Sequence, residues 1–431
     1  MRDETIAIHG GSSGDSTRAV AVPIHQTIAH DFIDAAHAGA IFDIQTPGFH
    51  YNRINNPTND VLEQRMTALE GGSAALAVAS GMAAVSYALL TVARSGMNIV
   101  AAPQLYGATY TYLAHVLPTF GIETRFAAND SPRAISSLID DRTCAVFFES
   151  VGNPAGNVVD IEAVAELAHS RGVPVITDNT VATPLMLKPI SFGADVVVHS
   201  LTKFVGGHGT TLGGVIIDSG RFPWARHADR FPMFSEPEPA FHDVVFSRDF
   251  PDRAFAVRAR SVTLRNTGAT LSPLSAFHLL QGLETLAVRL DRHEANARTV
   301  AEYLAQDTRV AWVGYAGFAD SPHHALCHRY LGGRVPSILT FGPVGGFKAA
   351  IAFFDSVALL KRLVNLGDAK SLVSHPASTT HRQLKPHELA AAGITADAVR
   401  LSVGIEHIDD ILEDIDAALD AAVKAAVQSP S

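Results

Sequence analysis

Cysteine is nearly missing: Cys144 and Cys327 are the only two in 431 residues, and neither belongs to a CxxC pair. That argues against a disulfide framework and a zinc-thiolate site, and free thiols in a reducing compartment are the expected state. Runs of one charge are missing too. With 33 basic against 43 acidic residues the formal net charge is -10, and no block of like charge occurs, which disfavours nucleic acid or an anionic membrane as partner. No apolar run approaches the roughly 20 residues of a membrane span. The opening Met1-Arg-Asp-Glu-Thr has no basic region followed by an apolar core, so the cytoplasm is the expected location. None of the 20 histidines stands in an H-E-x-x-H or comparable ligand spacing, and the adjacent His323 and His324 would point in different directions, so no metal is expected. Gly206-Gly-His-Gly-Thr-Thr lacks the lysine of a P-loop, and no G-x-G-x-x-G opens a helix after a first strand. A nucleotide-dependent enzyme is a distant alternative.

What is present is an ordinary compact composition, 47% apolar and 18% charged, long enough for two domains. Residues 1–65 are polar and irregular and read as an arm. From 66 to 218, short apolar runs alternate with helical patterns: Ala74 to Ala79 then Met82 to Ala93, Ile99 to Ala102, Ala145 to Phe148 then Ile161 to Ser170, Val173 to Thr177, Val196 to Val198, and Val215 to Ile217. Such alternation predicts βα units and a mostly parallel sheet. Asp160 is a candidate N-cap and Gly172 a helix stop around the stripe Ile161, Val164, Leu167 and Ala168. Residues 219–265 break the alternation and read as a long loop or insertion. A helix restarts over Ser275 to Leu290, opening a C-terminal domain over 268–431; the large domain then covers 66–267.

Ligands of an open parallel sheet bind at the carboxyl ends of its strands. Ser80-Gly-Met, Glu149-Ser-Val-Gly-Asn-Pro, Asp178-Asn-Thr and His199-Ser-Leu-Thr-Lys203 all follow predicted strands. A lone lysine ending an apolar strand beside hydroxyls and glycines can act as an amine nucleophile, because desolvation or a nearby cation favours its neutral form. Pyridoxal phosphate needs such a lysine for a Schiff base, an acid facing its pyridine nitrogen, and donors around a phosphate. Lys203, Asp178, and Ser200 with Thr202 supply that set. Ser80-Gly81-Met82 would add the backbone N–H groups of a helix start.

Asp195-x-x-x-His-Ser-x-Thr-Lys-Phe-Val-Gly-Gly-His208 resembles the lysine signature of the Cys/Met-metabolism family of pyridoxal phosphate enzymes. The resemblance continues through Tyr51-x-Arg53 with Asn56-Pro57-Thr58, Tyr106-Gly107, Asn153-Pro154, Asp178-Asn179-Thr180 and Val399-Arg400-Leu-Ser-Val-Gly404. Within that family the chain is most similar to the O-acetylhomoserine sulfhydrylases, through Gly206-Gly-His-Gly-Thr-Thr-Leu-Gly-Gly-Val, Asp218-Ser-Gly-Arg-Phe-Pro-Trp224, Asn365-Leu-Gly-Asp-Ala-Lys-Ser-Leu372 and Gly404-Ile-Glu-His-Ile-Asp-Asp410.

The resemblance implies the α/β fold type I, aspartate aminotransferase-like, with a large, mostly parallel domain and a smaller C-terminal α+β domain. It implies that Lys203 carries the cofactor, that Asp178 holds the pyridine nitrogen charged, and that Tyr106 stacks on the ring. Asn153 would contact the ring 3'-oxygen and Thr180 support the ring. Ser80, Gly81, Met82, Ser200 and Thr202 would hold the phosphate, and Tyr51 and Arg53 would reach a neighbouring subunit's phosphate. Arg400 would bind the substrate carboxylate, with Tyr51 and Thr340 nearby. A homotetramer built as a dimer of dimers is implied, acting on small molecules. The implied reaction is γ-replacement on O-acetylhomoserine with sulfide or a small thiol such as methanethiol. The alternatives are a C-S γ-lyase acting on methionine or cystathionine, and a sulfhydrylase using another acyl ester. Ala108, where methionine lyases carry a thiol, and Lys370, where cystathionine enzymes carry an acid, argue against the lyases.

Overall fold

The computed structural model describes residues 1–11, 18–153, 156–379, 382, 389 and 393–427. The predicted alternation folds into one sheet of seven strands: β1 (Ala74–Val78), β2 (Asn98–Ala101), β3 (Glu123–Phe126), β4 (Thr143–Glu149), β5 (Val175–Asp178), β6 (Val196–Ser200) and β7 (Gly214–Asp218), in the order β1-β7-β6-β5-β4-β2-β3. The run β6, β5, β4, β2, β3 is parallel, whereas β7 is antiparallel to both its neighbours. Helices and loops cover both faces, so β4 is buried along its whole length and needs no polar alternation. The helix Ile161–His169 starts where Asp160 accepts from the N–H of Ala163, and Gly172 at φ +65° ends the turn after it, as the sequence predicts.

A second sheet of β8 (Val310–Gly314), β9 (Ile338–Pro343), β10 (Lys361–Arg362), β11 (Leu372–Ser374) and β12 (Val399–Ser402) has the order β10-β11-β12-β9-β8 and is antiparallel except at β10–β11. The helices Leu286–Gln306 and Gly346–Ser356 pack on β9, and Ile408–Val427 packs on both. Among the described residues no helix is long and apolar enough to cross a membrane.

Three stretches differ from the sequence reading. The helix Pro57–Glu70 runs across residue 65, started by Asn56, whose side chain accepts from the N–H of Thr58, and by Pro57 in the first turn. Its polar composition hides a buried stripe of Leu62, Met66 and Leu69. The buried Arg65 donates to Gly10 O at 2.8 Å and Ala7 O at 3.1 Å, tying the start of the chain to the body. Residues 219–265 are helical rather than a loop: short turns up to Asp249, then a continuous helical stretch from Ala254 with a π segment over Ala259–Leu264, held by an aromatic cluster in which Trp224 and Phe234 stack at 4.1 Å. Single turns are too short to show a helical period and the π segment breaks it, which is why the pattern read as irregular. The helix expected over 275–290 is two helices, Pro273–Glu284 and Leu286–Gln306, broken at Thr285.

Candidate active site

All parallel strands present their carboxyl ends to one edge, so Glu149, Asp178 and Ser200, the last residues of β4, β5 and β6, stand side by side. They border a cavity of about 200 Å³. The helix Gly81–Val92 begins at its rim. Ser80 Oγ accepts from the N–H of Ala83 at 3.2 Å, while the first-turn N–H groups of Gly81 and Met82 have no partner within the helix and make an anion seat. A Cβ on Gly81 would lie 2.5 Å from Ser200 Cβ, and one on Gly214 would lie 2.1 Å from Ser80 O. Only glycine permits that approach of helix to strand.

Lys203 lies three residues beyond β6, and its Nζ donates to Asn365 Oδ1 at 2.7 Å. Burial first, then the charge of Arg400, pushes its amine down to about 8, with Asp178 opposing. Asp178 is raised above the usual carboxylate range by burial; the Thr180 N–H, donating at 2.9 Å, and the charges of His199 and Lys203 pull it back. Thr180 Oγ1 accepts from Ser200 N at 2.7 Å, and Thr202 Oγ1 accepts from Gly213 N at 3.1 Å, fixing both hydroxyls at the cavity. Arg400 comes from the other sheet, on β12. Its Nη1 donates to Asn153 Oδ1 at 2.9 Å and its Nη2 to Asn365 O at 2.7 Å, while its buried Nε has no partner among the described residues. Burial lowers this guanidinium to about 10.

Ser80, Gly81, Met82, Tyr106, Asn153, Asp178, Thr180, Ser200, Thr202, Lys203 and Arg400 all line this cavity. Three expected site residues do not. Tyr51 is exposed, and Arg53 lies over its ring at 5.2 Å and donates to Arg265 O, facing an open groove with Gly268. Thr340 pairs directly with Arg400 across β9 and β12; its side chain leaves the same face one strand further away, and it forms no part of the cavity wall. Lys370 is also outside the wall, 60% exposed and paired with Asp368 at 3.3 Å. Pro154 of the Asn-Pro pair lies outside the described residues.

Sequence reasoning quoted the stretches that hold Asn365 and Glu149 but gave neither residue a role. Asn365 sits between β10 and β11 with no strand pattern to mark it. Glu149 carried a legible signal, an acid closing the fully buried Val146-Phe-Phe run.

The cavity suits pyridoxal phosphate. It joins a lysine of lowered basicity, an acid at the strand end beside it, and hydroxyls and helix N–H groups where glycine leaves room for a phosphate. The chain belongs to the Cys/Met metabolism PLP-dependent enzyme family, whose model matches residues 4–420, and its cofactor is pyridoxal phosphate. It is 46% identical to the homocysteine synthase of Schizosaccharomyces pombe, over 95% of this chain and 96% of that one. It is 45% identical to the O-acetyl-L-homoserine sulfhydrylase of Leptospira meyeri, over 97% and 96%. A Campylobacter jejuni structure described as an O-acetylhomoserine (thiol)-lyase carrying a pyridoxyl-lysine superposes with a TM-score of 0.94 at 41% identity, covering 97% of this chain and 100% of that one.

Proposed function

We propose that the protein exchanges the γ-acetoxy group of O-acetyl-L-homoserine for sulfide or a small thiol such as methanethiol, giving L-homocysteine or L-methionine and acetate. The observation that carries this reading is the cavity in which the lowered Lys203 amine faces the Arg400 fork; the names of the relatives support the substrate.

Ser80, Gly81, Met82, Ser200 and Thr202 would hold the cofactor phosphate, Asp178 the proton of the ring nitrogen, Asn153 the ring 3'-oxygen, with Tyr106 and Thr180 against the ring. When bound, pyridoxal phosphate supplies an electrophilic carbon for the substrate amine and a conjugated ring that draws electrons from the α-carbon. Arg400 receives the substrate carboxylate on its planar fork, which fixes the α-carbon relative to Lys203. With its amine lowered to about 8, Lys203 is more readily neutral near physiological pH than an ordinary lysine and can take the α-proton onto Nζ as general base. A second proton leaves the β-carbon, acetate departs from the γ-carbon, sulfide adds there, and both protons return.

Tyr51 and Arg53 are proposed to serve the phosphate of a neighbouring copy. Their place on an exposed arm, outside their own chain's cavity, supports that reading, as do the exposed Val20, Ile28, Ile33 and Phe42 of the same arm. The proposed assembly is a dimer of dimers in the cytoplasm, and the proposed domains are 1–65, 66–267 with its insertion 219–265, and 268–431. Both cysteines are buried and free, in keeping with a reducing compartment.

Of the two sequence grounds against a lyase, Ala108 lines an apolar groove beside Tyr106, and Lys370 stands outside the cavity wall, paired with Asp368. Steady-state kcat/KM on O-acetylhomoserine with sulfide, on methionine and on cystathionine decides the matter. The expected result is at least about a hundredfold preference for replacement, about 2.7 kcal/mol. Equal or faster α-keto acid release from methionine would move the protein to the lyases.

A further inference from the structure

Glu149 is an acid at the cavity wall with no role in the chemistry above, and it is 5% exposed. Its position is electrostatically poor. It stands directly opposite Asp178 in the β4–β5 register, and burial, then that neighbouring carboxylate, raises it well above the usual range. Oε1 accepts from the backbone N–H of Tyr106, and Oε2 accepts from the backbone N–H of Asn153 at 3.1 Å. Asn153 Oδ1 in turn accepts from Arg400 Nη1 at 2.9 Å. One carboxylate therefore ties the segment that brings Tyr106 to the cavity to the residue that steers the Arg400 fork.

We propose that Glu149 is a positioning residue that sets the Arg400 fork through Asn153 while holding the Tyr106 segment in the same register. The proposal rests on the reading of Arg400 as the substrate-carboxylate arginine. Both oxygens are engaged by N–H donors, so no neutral side chain of similar size replaces them. A glutamine at this position keeps one acceptor and turns its amide donors toward the other N–H. An aspartate keeps the charge but falls one methylene short of reaching both.

The test uses the holoenzyme with Glu149→Gln, Glu149→Asp, Asn153→Ala and the double variant Glu149→Gln/Asn153→Ala. Binding of 4-acetoxybutanoate, the amine-free analogue of the proposed substrate, is measured by calorimetry, and KM and kcat are measured for O-acetylhomoserine with sulfide. Both Glu149 variants should weaken 4-acetoxybutanoate and raise KM at least about tenfold while kcat stays within about threefold, the pattern of lost ground-state grip. On 4-acetoxybutanoate binding, adding Asn153→Ala to Glu149→Gln should cost less than about another twofold, because toward the Arg400 fork the two act through one linkage; kcat is left out of this comparison, since Asn153 also faces the cofactor. Binding and KM within about twofold of the parent in the Glu149 variants, or fully additive effects in the double variant, overturn the proposal. Should Glu149→Gln fail to fold, Glu149→Asp carries the binding and KM comparison alone. A parent that binds the probe but does not turn over O-acetylhomoserine sinks the proposed reaction. An active parent with unaffected variants sinks only the role of Glu149.

Discussion

Lys203 Nζ and Asn365 Oδ1 lie 2.7 Å apart, and the backbone carbonyl of the same asparagine accepts from Arg400 at 2.7 Å. Asn365 thus holds the two cations of the site at one spacing, one by its side chain and one by its main chain. Asn365→Ala removes the first hold and leaves the second. We expect kcat to fall about tenfold, in line with one charge-assisted hydrogen bond, and KM to change by less than about twofold. Steady-state kinetics separates the two; a KM effect larger than the kcat effect would refute this division of labour.

The lowered amine has a kinetic signature. Neutral lysine attacks the cofactor and protonated lysine does not, so attachment should quicken as pH rises and level off above about 8. Stopped-flow absorbance in the near-visible on mixing apoprotein with pyridoxal phosphate reads this directly. A rate still climbing past pH 10 would show an ordinary lysine, and Lys203→Ala should show no near-visible band with normal folding.

Arg53 is outside its own cavity, so it should act across a subunit boundary. Arg53→Ala and Lys203→Ala are each expected to be inactive alone. Mixed in equal amounts under exchange, half the dimers are hybrids with one intact site of two, so activity should recover to about a quarter of the parent. No recovery with exchange demonstrated by mass spectrometry would place Arg53 elsewhere.

His293 is fully buried, donates from Nδ1 to Val403 O at 2.7 Å, and is pushed by burial down to about 4. The folded state binds the proton more weakly than the unfolded one. The stabilisation is therefore complete above the unfolded value of about 6.5 and is lost as pH falls from there toward 4. Between pH 7 and 4.5 this group alone should remove about 2 kcal/mol of stability. Urea unfolding of the parent and of His293→Asn at both pH values checks it: the variant should lose less on acidification.

The sheet and most of the cavity could be read from the sequence because their signals are local. Apolar runs such as Val196 to Val198 mark strands, and in a parallel sheet the residue after each run is placed at the ligand edge by topology. That is how Lys203, Asp178 and Ser80 were legible. Asn365 stood out only as the start of a resembling stretch, and its contact was not legible, because a loop residue that meets Lys203 across 162 positions of sequence leaves no local mark of the meeting. That Thr340 stands outside the cavity wall was not legible for a related reason: a strand's face can be read from its period, but its distance from a cavity on a neighbouring strand cannot. The helix Pro57–Glu70 was obscured by composition, although Asn56-Pro57 is a sound start signal.

Arg400 leaves the second sheet, whereas Lys203 and Asp178 follow strands of the first. An amino acid gripped by its carboxylate and presented by its amine therefore spans the seam between two separately hydrogen-bonded layers. On the proposed roles, a carboxylate alone would touch one bank of that seam and a simple amine the other, and a molecule bearing both groups on one carbon would bridge it. Each turnover would then make and break a cross-link between the layers, with the grip of the far bank spent on delivering the α-carbon to the amine rather than on affinity alone.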